Sequence, residues 1–331
     1  MQVTRCLLLV CLGPLLSGFF NSAIGQSAGP DQGKEYTLRL NNPVNKTVIE
    51  INLPDSLPRL DPKKKTLLIF FALPNGNSIE WTKGRRMQPG DDWHYDIQHI
   101  AAQTRYLRTV MNDKNLIVAY MANELKSWPA WKRARPDGPA EIKRVVDSIT
   151  GMFARLKPKV MLNSHSGGGS FIFGYLDAVD RVPDQVSRIA FIDSDYGYED
   201  SLHTEKLAKW IKSSHEHHLD VLAYNDSVVI FNGKPLVSPT GGTWYRTKLM
   251  QRKLGEHFSF HMHADTALIH YTEKSNKIDI YLKTNDNGLI YHTEQVARNG
   301  FIHTVLSGTD YAAKTAYQYW GERVYDRFIL P

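Results

Sequence analysis

Cysteine is nearly missing from this chain: there are two, Cys6 and Cys11, both close to the N-terminus. A disulfide framework and thiolate chemistry are therefore excluded for the body of the protein, whose stability has to come from its core. Long apolar runs are missing too. The longest, Cys6 to Phe20, is interrupted by Gly13 and Pro14 and falls short of the ~20 residues a spanning helix needs. No low-complexity tract and no repeat with a period of 20–50 residues occurs, which excludes solenoids and propellers. Charge of one sign is not concentrated. The 40 Lys and Arg against 34 Asp and Glu are scattered, and Lys63-Lys64-Lys65 reads as a solvated turn, so no nucleic-acid footprint is drawn.

What the N-terminus does contain is ordered like a secretory signal. Arg5 supplies a basic start, Cys6 to Phe20 an apolar stretch, and Ala23-Ile24-Gly25 a small-x-small cleavage site. The expectation is a signal peptide at 1–25, a secreted or periplasmic protein with no membrane span in its mature form, and one domain over 26–331. A lipoprotein reading through Leu8-Leu9-Val10-Cys11 is weaker, because Val10 is bulky where a small residue is expected.

Along the remaining chain, Glu35 to Leu40 and Thr47 to Leu53 alternate apolar and polar residues around a turn-rich stretch, as an antiparallel hairpin does. The pattern then changes. Thr66 to Leu73, Asn115 to Met121, Lys159 to Asn163, Arg188 to Ile192 and Leu219 to Tyr224 are short, nearly continuous apolar runs, the signature of strands buried on both faces. Helical patterns separate them at Ile97 to Met111, Pro139 to Leu156, Gly168 to Val179 and Ser201 to Ser213. Such alternation predicts an α/β fold: a mostly parallel central sheet, helices on both faces, and the antiparallel hairpin at its edge. Beyond it, a helix to about Leu254, three strands within 258–283 and a closing helix over Tyr311 to Phe328 are expected. The last would bear Tyr317, Trp320 and Val324 at helical spacing.

The most informative stretch runs from the apolar strand Lys159-Val160-Met161-Leu162-Asn163 into Ser164-His165-Ser166-Gly167-Gly168. A serine between strand and helix, with small residues two before and two after it, has the form of a nucleophile elbow. The motif and the order of elements over about residues 60–310 resemble the α/β-hydrolase family, whose usual elbow is Gly-x-Ser-x-Gly; here Ser164 replaces the first glycine. The resemblance implies that Ser166 is a nucleophile and that the Gly167 N–H faces a developing oxyanion. It also implies a chain order of Ser, then acid, then His. His303, taken to lie in a loop before the terminal helix, is the expected base, with His292 as the alternative. Asp226, after the Leu219 to Tyr224 strand, is the expected acid, with Asp193 as the alternative, although carboxylates at strand ends also cap helices. A second oxyanion donor is expected from Asn75, Gly76 or Asn77, after the first parallel strand.

Trp81, Trp128 and Trp131 follow the carboxyl ends of parallel strands, where ligands bind such sheets, and are expected to line the substrate site. Histidines crowd at 215–218 and at His257, His261, His263 and His270. His261 and His263 would share one face of a strand with Asp265 near. Hydrolysis through a serine needs no metal, however, and the 215–218 run reads as a solvated helix end, so neither metal nor cofactor is expected. The function expected is a serine hydrolase acting on an ester substrate, small or polymeric and possibly carbohydrate-linked. Two rivals stay open: a peptidase or amidase using the same residues, and a noncatalytic carbohydrate- or partner-binding protein on this scaffold.

Overall fold

The computed structural model describes residues 21–28, 34–42 and 44–331. Its strands are β1 (Asn21–Ala28), β2 (Lys34–Asn41), β3 (Thr47–Leu53), β4 (Lys65–Ala72), β5 (Lys114–Asn123), β6 (Lys159–His165), β7 (Val186–Ile192), β8 (His218–Tyr224), β9 (Ile230–Phe231), β10 (Lys234–Pro235), β11 (Phe260–Ala264), β12 (Leu268–Glu273) and β13 (Ile278–Lys283). Its helices are α1 (Ile79–Lys83), α2 (Ile100–Val110), α3 (Trp128–Arg133), α4 (Gly138–Met152), α5 (Gly169–Asp177), α6 (Asp200–Ser213), α7 (Thr243–Leu254), α8 (Glu294–Ala297) and α9 (Gly300–Leu306).

One 11-stranded sheet runs in the order β1-β2-β3-β5-β4-β6-β7-β8-β13-β12-β11. From β5 through β13 every neighbouring pair is parallel, and antiparallel strands flank this block on both sides. The hairpin foreseen at the N-terminal edge is present as β2 and β3, with Leu38 opposite Ile51. The fold is α/β, a mostly parallel central sheet with helices on both faces. Two apolar cores explain why the central strands read as unbroken apolar runs. In β4, Leu68, Phe70 and Ala72 join a core with residues of α3 to α7, while Leu67, Ile69 and Phe71 join the opposite core with residues of α2, α8, α9 and the C-terminal segment. Period-two alternation thus feeds two faces, both apolar.

Two expectations need correction. The C-terminal segment is no α-helix; it holds only short 3₁₀ turns at Ala312–Lys314 and Asp326–Phe328. Trp320 sits at φ +65° with Gly321 beside it, and this left-handed backbone breaks the helical spacing of the aromatics. The 215–218 run is no solvated helix end: His217 and His218 are buried, and His218 opens β8. The leader expected at 1–25 lies mostly outside the described residues, and its last part, 21–25, pairs with β2 as part of β1. Among the described residues no helix is long and apolar enough to cross a membrane.

Candidate active site

β6 lies in the middle of the parallel block, between β4 and β7, and ends at His165. The chain then turns through a single 3₁₀ turn, Ser166–Gly168, into α5. Ser166 takes φ +55° in that turn. For a residue with a Cβ this costs on the order of 1–3 kcal/mol, a strain that persists only where the surroundings enforce it. They do so by leaving no room. A Cβ on Gly168 would stand 2.1 Å from the Ala72 carbonyl oxygen, and one on Gly169 would stand 1.7 Å from that of Ser194. Ser164 fits where a glycine is usual because its buried hydroxyl meets Ser194 Oγ at 2.7 Å. Ser166 itself is half-buried, and among the described residues its hydroxyl makes no hydrogen bond.

The imidazole and carboxylate connected to this turn are those of His292 and Asp193. His292 lies in the loop between β13 and α8, with about a quarter of its side chain exposed, and its Nδ1 contacts Asp193 Oδ2. Asp193 is fully buried just after β7, at φ +45°, and its other carboxylate oxygen accepts from the Thr243 hydroxyl. The elbow reaches this pair through His165, whose Nε2–H donates to the His292 carbonyl at 3.1 Å and whose ring centroid lies 4.8 Å from that of His292. Burial and the neighbouring His292 hold His165 well below the usual imidazole range, so it stays neutral and serves as a hydrogen-bonding prop.

The expected pair is not assembled. His303 lies within α9, not in a loop, and is buried with Tyr281, Tyr317 and Tyr319 around its ring. The loop that follows the last parallel strand carries His292 instead. Asp226 meets no imidazole. Its Oδ2 accepts from the Thr243 N–H at 2.8 Å and its Oδ1 from the Trp244 N–H at 3.4 Å, so it caps the start of α7. Burial, and then the charge of Asp193, raise its pKa to about 6. Asp195, also buried, is pushed well above the usual carboxylate range by burial.

The oxyanion expectations divide. Gly167 is half-buried beside Ser166, and the Asn75 side chain covers it, with Oδ1 2.2 Å from where a Cβ on Gly167 would stand. The Gly76 N–H is already committed, donating to the Lys126 carbonyl at 2.8 Å, so Gly76 is not an available donor. Two of the three tryptophans are core residues. Trp128 and Trp131 are at most 1% exposed, and their Nε1–H groups donate to the carbonyls of Met121 (3.1 Å) and Asn45 (2.7 Å). They anchor the segment after β5 to backbone carbonyls of the scaffold. Trp81 is half-buried and stacks on His94 at 4.3 Å, with the exposed Trp93 on the other side of that ring at 3.9 Å.

Thr243 and Gln98, the latter 3.3 Å from His165 Nδ1, escaped sequence reasoning, since nothing marks either in its own segment. His165 stands inside the elbow motif itself, and its position next to the serine was the signal that could have found it.

No family model matches this chain, and no curated protein resembles it in sequence. Among solved structures, the acylaminoacyl peptidase of Pyrococcus horikoshii aligns over 95% of this chain at 8% identity with a TM-score of 0.37. The chain spans less than half of that peptidase, 45% of its length. A bacterial brefeldin A esterase, a homologue of human hormone-sensitive lipase, aligns over 91% of this chain and 80% of its own, at 11% identity and a TM-score of 0.36.

Proposed function

We propose that this protein is a serine hydrolase that cleaves an ester through an acyl-enzyme, with Ser166 as nucleophile, His292 as base and Asp193 as the orienting acid. The observation that carries this reading is the contact of Asp193 with Nδ1 of His292, whose backbone carbonyl is bonded by His165, the residue next to the strained Ser166. A carboxylate on Nδ1 fixes the tautomer, leaving Nε2 to take the Ser166 proton as Oγ attacks the carbonyl carbon. His292 then returns that proton to the leaving alkoxide, and a water molecule repeats the sequence in reverse to free the acid. The negative charge on the tetrahedral oxygen is met by the Gly167 N–H and by the Asn75 group beside it.

An ester with an apolar portion is favoured by the rim. Val228, Ile230 and Phe231 around the β9–β10 hairpin are exposed, as are Leu289 and Ile290 immediately ahead of His292. Trp81 with its aromatic stack offers a second surface. Export with processing near Gly25 belongs to the same proposal. It would take residues 21–25 out of β1 and leave the pairing of β2 with β3 untouched.

A fluorophosphonate probe tests the reading. Labelling at Ser166, lost in Ser166→Ala and in His292→Ala, is expected. An unreactive wild-type protein would instead be a binding protein on a hydrolase scaffold.

A further inference from the structure

A second group of ionisable side chains lies away from the elbow and takes no part in the reaction above. His218 and Asp220 stand two residues apart on β8 and so share a face, and Asp279 is the register partner of Asp220 on β13. One ligand atom from each of the three lies within 4.8 Å of the others, and all three residues are buried. α9 covers this face. Ser307 follows His303 by one helical turn, its N–H donating to the His303 carbonyl at 2.8 Å, so the two side chains project the same way. Ser307 Oγ reaches into the group, 3.0 Å from His218 Nε2 and 2.6 Å from Asp279 Oδ2.

His303 is the second, independent pointer. It is 6% exposed, its Nδ1 lies 3.3 Å from the Tyr317 hydroxyl, and among the described residues its Nε2 has no hydrogen-bond partner. The charges of Asp220 and Asp279 both act on its ring. A buried ring nitrogen without a partner is costly, and one on the same helix face as Ser307, which reaches the group, has the chemistry of a ligand. The charge count agrees. Arg188 pairs with Asp220 Oδ2 at 3.0 Å, leaving Oδ1 on the His218 side, whereas Asp279 has no Lys or Arg partner among the described residues. A second buried carboxylate with only neutral or weakly basic neighbours calls for a cation.

We propose that the converging donors of His218, Asp220 and Asp279, with His303 closing the set from α9, bind one divalent first-row transition-metal ion, zinc foremost, as a structural ion tying β8 and β13 to α9. Nitrogen and carboxylate donors without thiolate suit zinc, and a set closed by four protein ligands suits a structural role. Arg188 and Ser307 then hold the two carboxylates from behind, and His270, whose Nε2 is 2.6 Å from Asp279 Oδ1, does the same from β12.

The test reads metal content and melting, not turnover, so it stands apart from the hydrolase reading. The full-length protein is analysed for metals as purified, stripped with a chelator, and titrated with zinc chloride and cobalt chloride. About one ion per chain is expected. The stripped protein should melt several degrees lower and recover with zinc, and cobalt should give the visible absorption of a tetrahedral nitrogen and oxygen site. His303→Gln and Asp279→Asn should each weaken binding about 100-fold, while His261→Ala, on the exposed edge strand, should change nothing. If the wild-type protein binds neither ion and its melting does not move, the cluster is a closed hydrogen-bond chain from His218 through Ser307 to Asp279. Equal binding by His303→Gln and Asp279→Asn would place the ion elsewhere and equally overturn the proposal. Should either variant fail to fold, the wild-type titration still decides.

Discussion

His292 and His303 lie eleven positions apart in sequence, yet their surroundings differ in every respect that matters to chemistry. His292 stands in a loop at the carboxyl ends of the strands, about a quarter exposed, with Asp193 on one ring nitrogen. His303 is enclosed in α9 among tyrosines, and burial depresses its pKa below the ordinary imidazole range. Access, strain and a carboxylate on one nitrogen alone make a proton carrier. Enclosure within a helix does not. The contrast teaches that chain order, which both histidines satisfy, cannot separate the two roles, because what separates them is exposure in a loop against enclosure in a helix.

The largest effect expected from breaking this comparison is at the nucleophile. Ser166→Ala should lower kcat by about 10⁶ with folding intact, as loss of the attacking hydroxyl does in such triads. Steady-state turnover with a p-nitrophenyl ester, beside a thermal melt, checks both halves. His292→Ala should cost nearly as much, and Asp193→Asn about 10⁴, because an amide presents the wrong partner to Nδ1. His303→Ala should reduce turnover by less than tenfold while lowering the melting temperature. If that ranking reversed, His303 would be the base after all.

An intermediate effect, on stability alone, separates the tryptophans in the same way. Trp128 meets Phe171 edge-on at 4.7 Å and Trp131 at 5.3 Å. Trp128→Ala should therefore cost about 3–5 kcal/mol in urea unfolding. Trp81→Ala, removing a half-buried ring from a surface stack, should cost about 1 kcal/mol and act instead on KM. Equal stability losses for the two would mean that Trp81 is also a core residue.

Much of this architecture is legible in the sequence because strands buried on both faces leave apolar runs that nothing else leaves. The five parallel strands from β4 to β8 and the helices between them were readable for that reason, as was the elbow, whose small residues answer to carbonyls at Ala72 and Ser194. The partners of Ser166 were not readable. Asp193 and Asp226 both follow parallel strands, and only the three-dimensional path of the loop after β13 decides which one meets an imidazole. Trp128 and Trp131 misled because a position after a strand end predicts proximity to the site, whereas their Nε1–H groups bind carbonyls of the scaffold.

The smallest effect concerns Asp226, which caps α7 through Thr243 while that same threonine also donates to Asp193. Its folded pKa of about 6 lies above the ordinary carboxylate value, first through burial and then through the charge of Asp193. The folded protein therefore holds this proton more tightly than the unfolded chain, so the group's contribution to stability is complete below about pH 4 and is lost as pH rises through 6. In Asp226→Asn an amide oxygen still accepts from Thr243, but nothing titrates. Measured against the wild type by urea unfolding, the variant should gain about 1–3 kcal/mol in relative stability between pH 4 and pH 7. A difference that stays flat over that window would show that Asp226 is not protonated more readily in the fold. Turnover should fall less than tenfold, since Asp226 touches Asp193 only through Thr243. A loss near 10⁴, equal to that of Asp193→Asn, would make the two carboxylates one functional unit instead of an acid and a helix cap.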